Sequence, residues 1–200
     1  MKVVGLAGGI GTGKSAVARM LGELGAVVLE ADKIGHEVYL PYTDGWQDVV
    51  ATFGEDVLLP NGEVDRRKLG GKVFGNPQAM EKLNAITHPR IRERLKEGIE
   101  EAGRAGAQVV VLDAAILIEA GWTGLCDEVW VATAPEARVV QRIQARNNLS
   151  EEQIRARMAS QMSTEERVKH AHVIVENDGD LEELRSKVAA LWKEHLAGRE

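Results

Sequence analysis

The feature that most constrains this chain is the glycine-rich segment 8–15, which spells Gly-Gly-Ile-Gly-Thr-Gly-Lys-Ser and completes the pattern G-x-x-x-x-G-K-[ST]. An apolar run, 3–7, precedes it, and a helix-like segment, 16–24, follows it. Between a strand and a helix, such a loop lets successive backbone N–H groups and the positive end of the helix face one anion. The segment therefore predicts a nucleotide-phosphate site rather than an ordinary glycine-rich turn before a helix.

The positions of this motif have distinct expected tasks. Lys14 would reach the β and γ phosphates as a point charge, and the Ser15 hydroxyl would ligate the Mg²⁺ that bridges them. The positions expected to bind the nucleotide are Gly8, Gly9, Ile10, Gly11, Thr12, Gly13, Lys14, Ser15 and Ala16. ATP and Mg²⁺ are therefore the expected cofactors.

Composition and charge narrow the class of protein. The 200 residues fit one domain, and a hydrophobic content of 44% suits a globular core. We see neither an apolar run of about 18 residues nor a signal-peptide pattern, and we expect a cytoplasmic protein with no membrane partner. A formal charge of −6 argues against a nucleic-acid partner. The single cysteine, Cys126, is expected to be a packed or half-buried thiol.

Short apolar runs alternate with helix-like segments, which predicts an α/β fold with a parallel sheet covered by helices on both faces. Five runs are expected to be strands, namely 3–7, 26–29, 108–113, 128–132 and 173–175. Helices are expected at 16–24, 33–39, 46–53, 66–74, 77–103, 135–146, 150–161 and 181–196. The region 33–104 has no strand pattern and is a helical insertion, within which we expect Pro89 to bend or reset the last helix.

The order of these segments is typical of a small-molecule kinase. Phosphoryl transfer depends on positioning, charge neutralisation and exclusion of water. Asp32, just after the second strand, would accept the proton of an attacking hydroxyl, and Arg142 and Arg146 would close over the phosphates. Positive charge is concentrated in three groups, of which a few members are expected to touch ligand: Arg66, Arg67 and Lys68; Arg90, Arg92 and Arg94; Arg138, Arg142, Arg146, Arg155 and Arg157.

Three of the candidate site residues have a plain structural alternative. Asp32 is as consistent with capping a helix that begins near Lys33 as with a catalytic role. Asp113, which closes an apolar strand, is expected to hold Mg²⁺, with a cap for a helix over 114–120 as the alternative. His88 is either a buried or turn histidine or a contact to the substrate, and phosphoryl transfer to an alcohol needs no histidine for proton transfer.

Several segments, in order, resemble those of the dephospho-CoA kinase family over nearly the whole chain. Residues 5–15 are similar to the family's G-L-T-G-G-I-G-S-G-K-S. The other matching segments are 30–32 with D-A-D, 61–66 with D-G-x-L-D-R, 87–89 with T-H-P, 116–119 with L-L-F-E, 141–142 and Arg146 with Q-x-x-R and its following arginine, and 173–177 with V-I-x-N. The loop is shared by many phosphate-binding proteins, whereas the ordered set is not.

This resemblance implies transfer of the ATP γ-phosphoryl group to the ribose 3′-hydroxyl of dephospho-CoA, the last step of coenzyme A biosynthesis. By position, Asp32 matches the catalytic base, Lys14 the loop lysine and Arg142 a lid arginine. The residues matching the acceptor side are Asp32, His88, Leu117 and Glu119. The resemblance also implies one kinase domain over 1–200, with a core (1–32, 105–134, 171–200), an acceptor-binding lobe (33–104) and a lid (135–170).

The chain departs from the family's pattern at Ala7, Ala16, Glu30, Ala115 and His172. Ala7 and Ala115 lie where the acceptor is expected to bind. A different small-molecule kinase remains an alternative, because the fold does not fix the substrate. Two further alternatives are a nucleotide switch that binds a partner protein and a protein that only binds ATP. The sequence lacks the guanine-recognising N-K-x-D motif, which argues against the switch. We expect a monomer or weak homo-oligomer.

Overall fold

A five-stranded parallel sheet is the centre of the computed structural model, which describes residues 1–147 and 149–197. The strand order is β2-β3-β1-β4-β5. The strands are β1 (Lys2–Gly8), β2 (Val27–Glu30), β3 (Val109–Asp113), β4 (Glu128–Thr133) and β5 (Val173–Glu176). The predicted fold class is confirmed.

The described part of the chain contains nine α-helices. They are α1 (Lys14–Glu23), α2 (Ala31–Glu37), α3 (Asp44–Phe53), α4 (Arg66–Val73), α5 (Pro77–Arg104), α6 (Glu136–Asn147), α7 (Glu151–Ala159), α8 (Thr164–Val168) and α9 (Leu181–Leu191). Of these, α8 has no counterpart among the predicted helices. None of the described helices is both long enough and apolar enough to cross a membrane.

The chain divides into two compact units. The first comprises Met1–Glu30 and the chain from Ile99 onward, and the second comprises Ala31–Gly98. The first unit contains the sheet, and its core is formed by strand side chains such as Leu6 and Trp130, both fully buried, together with α1 and α9. Each such buried apolar side chain contributes roughly 1.5–3 kcal/mol to folding.

The second unit is almost entirely helical. Its core contains Val49 and Phe53 of α3 and Leu69 and Val73 of α4. The Asp65 carboxylate caps α4 by accepting hydrogen bonds from two backbone N–H groups of its first turn. This unit matches the helical insertion expected from the sequence, while its role in binding an acceptor stays a prediction.

The long helix α5 continues through Pro89 without the expected reset. Proline removes one N–H donor from a helix interior and crowds the preceding turn. In that turn, the Thr87 hydroxyl donates to the Leu83 carbonyl at 2.9 Å, and the Arg90 guanidinium donates to the Ile86 carbonyl at 2.7 Å. These two bonds lie on either side of Ala85, whose carbonyl is the one that loses its backbone donor at Pro89.

Cys126 lies half-buried beneath β1, as the sequence predicts for its thiol. A Cβ added to Gly5 would lie 2.7 Å from the Cys126 Sγ atom, so the two residues are in close contact. Burial, with a smaller effect from the Asp127 carboxylate, raises the pKa of this thiol to about 12.

We therefore expect Cys126 to react slowly with thiol reagents in the native protein. At pH 8 its thiolate fraction is small, and alkylation by iodoacetamide should be at least roughly a hundredfold slower than for a free cysteine. Mass spectrometry against time measures the rate, and the same protein in guanidinium chloride is the control. Equal native and denatured rates would contradict the assigned burial.

Candidate active site

The glycine-rich loop leaves the carboxyl end of β1 and leads directly into α1. Gly11 and Gly13 have φ angles of 75° and 94°, a conformation that side chains with a Cβ rarely adopt. The Thr12 hydroxyl donates to the Gly9 carbonyl at 2.8 Å and closes the turn. Because α1 begins at Lys14, its first N–H groups lie at the end of this turn, as an anion site requires.

Neighbouring side chains pack so closely on the loop that two of its glycines leave no room for a Cβ. A Cβ on Gly13 would lie 2.1 Å from the Nδ2 atom of Asn177, and one on Gly11 would lie 2.9 Å from Cγ1 of Val139. The glycines at 11 and 13 are therefore required both by their backbone conformation and by these contacts.

Lys14 and Asp113 form an ion pair at the carboxyl ends of two neighbouring strands. The Lys14 Nζ atom donates to Asp113 Oδ1, and their side chains are only 13% and 10% exposed. Parallel pairing of β1 with β3 sets Leu6 opposite Asp113 in register. Residues 115–120 form turns, so there is no helix over 114–120 for Asp113 to cap, and the capping alternative is wrong.

Asp32 lies in the first turn of α2, two residues after β2 ends at Glu30. The helix already begins at Ala31, so Asp32 is inside it, and the alternative that Asp32 caps a helix starting near Lys33 is wrong. Its exposed carboxylate is in the part of the helix where a negative charge is favourable. The position leaves the side chain available for chemistry.

Arg142 of α6 is connected to the loop through Asn177. The Arg142 Nη2 atom donates to Asn177 Oδ1 at 2.9 Å, and Asn177 Nδ2 donates to the Thr12 carbonyl at 2.9 Å. Arg142 Nη1 is buried without a hydrogen-bond partner among the described residues. Arg146 lies in the last turn of the same helix. Sequence reasoning assigned no role to Asn177, and its only signal was its place at the end of the V-I-x-N segment.

Arg167, on α8, is a buried cation that sequence reasoning missed. It is 3% exposed, and its Nη2 atom donates to Glu119 Oε1 at 3.1 Å. Nearby, the Ile10 N–H donates to Oε1 of Gln161 at 2.9 Å. The structure thus brings Glu119, a predicted acceptor residue, together with an arginine that no motif indicated. One arginine in a polar stretch carries no sequence signal of burial.

The remaining predicted acceptor residues lie in different surroundings. His88 is half-buried in α5, and burial lowers the pKa of its imidazole, which favours the neutral ring. Leu117 is fully buried, and a Cβ on Gly5 would lie 2.5 Å from its Cδ2 atom. Substrate contacts by both residues stay predictions.

The residues around Lys14 fit a magnesium ion better than a metal held by protein ligands alone. Within 1–147 and 149–197 there is no group of three or more histidine, cysteine or carboxylate side chains suited to a metal. Magnesium is usually bound by one or two protein oxygens together with phosphates and water. The Ser15 hydroxyl and the Asp113 carboxylate are oxygen donors of that kind.

Comparisons with known proteins agree on one family. A family model described as dephospho-CoA kinase matches residues 2–183. A dephospho-CoA kinase of Geobacter sulfurreducens is 43% identical over 192 residues, which cover 96% of this chain and 98% of that protein.

Solved structures agree with these sequence matches. A crystal structure of a Thermus thermophilus protein has 34% identity and a TM-score of 0.81, covering 97% of both chains. A dephospho-CoA kinase from Campylobacter jejuni has 27% identity and a TM-score of 0.73, covering 97% of this chain and 96% of the other.

The packing on Gly13 predicts that Gly13→Ala impairs nucleotide binding. The substituted residue would have to keep a φ of 94° and displace the Asn177 amide. We expect ATP affinity to fall at least about tenfold, since about 1.4 kcal/mol already corresponds to that factor. Calorimetric titration with ATP measures the loss.

Gly124→Ala is the matched control, because a Cβ there meets nothing within 4 Å. Its ATP affinity should equal that of the unmodified protein. An unchanged affinity in Gly13→Ala would contradict the proposed loop geometry.

Proposed function

The chain belongs to the dephospho-CoA kinase family, and we propose how its residues divide the work of that reaction. The enzyme phosphorylates dephospho-CoA with ATP and so catalyses the final step of coenzyme A biosynthesis. The observation that carries the residue assignment is the glycine-rich loop at the end of β1, with Lys14 paired to Asp113 of the adjacent strand. We propose that the phosphoryl acceptor is the ribose 3′-hydroxyl of dephospho-CoA.

On the donor side, backbone N–H groups from Gly8 to Ala16 bind the ATP phosphates. Lys14 exchanges part of its interaction with Asp113 for the β and γ phosphates, because a buried ammonium group needs anionic or hydrogen-bonding partners in place of water. Ser15 and Asp113 would hold Mg²⁺, which when bound neutralises phosphate charge. The close packing of Asn177 against Gly13 keeps the loop amides in position before the nucleotide arrives.

On the acceptor side, Asp32 is the catalytic base. As the 3′-oxygen forms its bond to the γ-phosphorus, the bond from that phosphorus to the ADP oxygen breaks, and the hydroxyl proton passes to the Asp32 carboxylate. The electron pair of the broken bond stays on ADP. Its carboxylate lies in the first turn of α2 and is exposed, which leaves its oxygens accessible to an acceptor hydroxyl.

Arg142 and Arg146 stabilise the phosphate charge that spreads in the transition state. The buried Nη1 atom of Arg142 supports this role, because it is a donor with no partner among the described residues. His88 would contact the acceptor through a hydrogen bond rather than a charge, since burial lowers its pKa. Leu117 and Glu119 would complete the acceptor site.

The regional assignments follow the same proposal. Residues 33–104 form the acceptor-binding lobe and 135–170 the lid, while 1–32, 105–134 and 171–200 form the core. The enzyme works in the cytoplasm as a monomer or weak homo-oligomer, with ATP and dephospho-CoA as its small-molecule partners and with neither a nucleic-acid nor a membrane partner.

The assay that tests the reaction measures ATP consumption with Mg²⁺ and several acceptors. Dephospho-CoA, nucleoside monophosphates, shikimate and no acceptor are compared, and the product is identified by mass and by NMR of the ribose. A gain of one phosphoryl group at the 3′-position of dephospho-CoA supports the proposal. Turnover with another acceptor would make the protein a different kinase, and no acceptor-dependent turnover would contradict both assignments.

Two substitutions should separate donor binding from proton transfer. Lys14→Ala should weaken ATP binding and turnover together, since the phosphates lose a direct charge. Asp32→Ala should leave ATP affinity within about twofold and lower kcat by roughly 10²–10⁴-fold, the usual contribution of a catalytic base. Titration with ATP and steady-state kinetics measure the two effects.

Asp56→Ala is the control, because Asp56 is an exposed acid of the second unit, paired with Lys72 at 2.8 Å. It should retain wild-type kcat. Full activity in Asp32→Ala would remove Asp32 from the mechanism.

A further inference from the structure

Arg167 has an unusual environment for a lid-region arginine. Its side chain is 3% exposed, whereas its ion-pair partner Glu119 is 30% exposed. Long charged side chains are almost never so deeply buried unless they are fully paired. Arg167 is not fully paired, because its buried Nε atom has no hydrogen-bond partner among the described residues.

A buried donor without a hydrogen-bond partner is destabilising, and more so when the group is charged. A guanidinium presents Nε and Nη2 along one edge, which matches two oxygens of a carboxylate or phosphate. Glu119 uses only the Nη2 donor of this edge, through one oxygen at 3.1 Å. On this edge Nη2 therefore has an acceptor, whereas Nε has none among the described residues.

The guanidinium of Arg167 lies against the first half of the glycine-rich loop. A Cβ added to Gly9 would lie 3.4 Å from Arg167 Nη1 and 3.6 Å from Gln161 Oε1. The Ile10 N–H, one of the loop donors, points at the same Gln161 oxygen. Arg167 and the loop amides are thus close neighbours within the first unit.

A cavity of about 370 Å³ lies at this place, and its lining includes Gly9, Ile10, Thr12, Gln161, Ser163 and Arg167. Arg167 is the only cation among its described lining residues. Two acids also line it, and of these Glu136 is paired with Arg155 while Glu165 is exposed. The cavity has the size and the donors to admit a phosphate group.

We propose that Arg167 is a further catalytic residue of this kinase, which donates hydrogen bonds to the phosphoryl group of ATP as it is transferred at the Gly9–Ile10 part of the loop. The proposal rests on the proposed function, because the loop must bind the ATP phosphates. Glu119 holds the guanidinium in the resting enzyme through one donor. In the transition state the unpaired Nε atom gains an oxyanion acceptor.

A double-mutant cycle distinguishes this role from a purely structural ion pair. The variants are Arg167→Gln, Glu119→Gln and the double substitution, and Arg167→Lys keeps the charge without the planar fork. We expect Arg167→Gln to lower kcat by at least about a hundredfold, which is the loss typical of removing a donor to a transition-state oxyanion. Affinity for ADP, measured by calorimetry, should stay within about twofold, because ADP lacks the transferred group.

The cycle compares the effect of Arg167→Gln with and without Glu119. A phosphate-contacting arginine predicts a loss of kcat that persists when Glu119 is replaced, although its size can differ because the two side chains are in contact. If the residue only pairs with Glu119, the loss disappears in the Glu119→Gln background, and that result would overturn the proposal. Arg167→Lys, which retains a cation without the planar fork, should lose roughly tenfold in kcat.

Two further results would contradict the assignment. A higher KM for dephospho-CoA with unchanged kcat would show that Arg167 binds the diphosphate of the acceptor instead. A lower melting temperature with kcat unchanged per folded molecule would show a structural role. Arg185→Gln is the control, since Arg185 forms an exposed surface pair with Glu23 at 2.6 Å and should retain full activity. Failure of the unmodified protein to phosphorylate dephospho-CoA would contradict the proposed function itself.

Discussion

The buried ion pair between Lys14 and Asp113 is the interaction on which the rest of the site depends. The neighbouring parallel strands β1 and β3 end on the same side of the sheet, with Asp113 as the last residue of β3. The glycine-rich loop after β1 turns so that α1 starts at Lys14. A buried pair of this kind adds little net stability, but loss of one partner costs about 3–5 kcal/mol. Lys14 is therefore paired with Asp113, and under the proposed function a phosphate of ATP takes over part of that pairing.

The loop is held from outside by side chains that come from distant parts of the chain. Asn177, after β5, bonds the Thr12 carbonyl and leaves no space for a Cβ at Gly13. It also accepts a hydrogen bond from Arg142, so one buried amide connects α6 to the glycine-rich loop. On the other side of the loop, Gln161 and Arg167 lie against Ile10 and Gly9. Rigid support of this kind is what electrostatic stabilisation of a transition state requires.

Local patterns predicted the sheet and the loop but not the contacts between distant residues. Runs of branched apolar residues such as 109–112 form strands because both faces of the sheet are covered. The five-residue helix α8 was missed because it is polar and too short to show periodicity. The capping alternative is wrong at Asp32 because α2 already starts at Ala31. It is wrong at Asp113 because turns rather than a helix follow that residue. Asn177 lies 165 residues from Thr12, a separation at which sequence alone carries no contact signal.

The most direct test of this account is the affinity of Asp113→Asn for ATP, measured by calorimetry with and without Mg²⁺. Without the metal, the variant should bind ATP more tightly than the unmodified enzyme, because Lys14 loses its competing anion and the phosphates lose a nearby negative charge. With Mg²⁺, the further gain in affinity seen in the unmodified enzyme should be reduced. Weaker binding without metal, together with an unchanged effect of Mg²⁺, would contradict the exchange of Lys14 between Asp113 and phosphate.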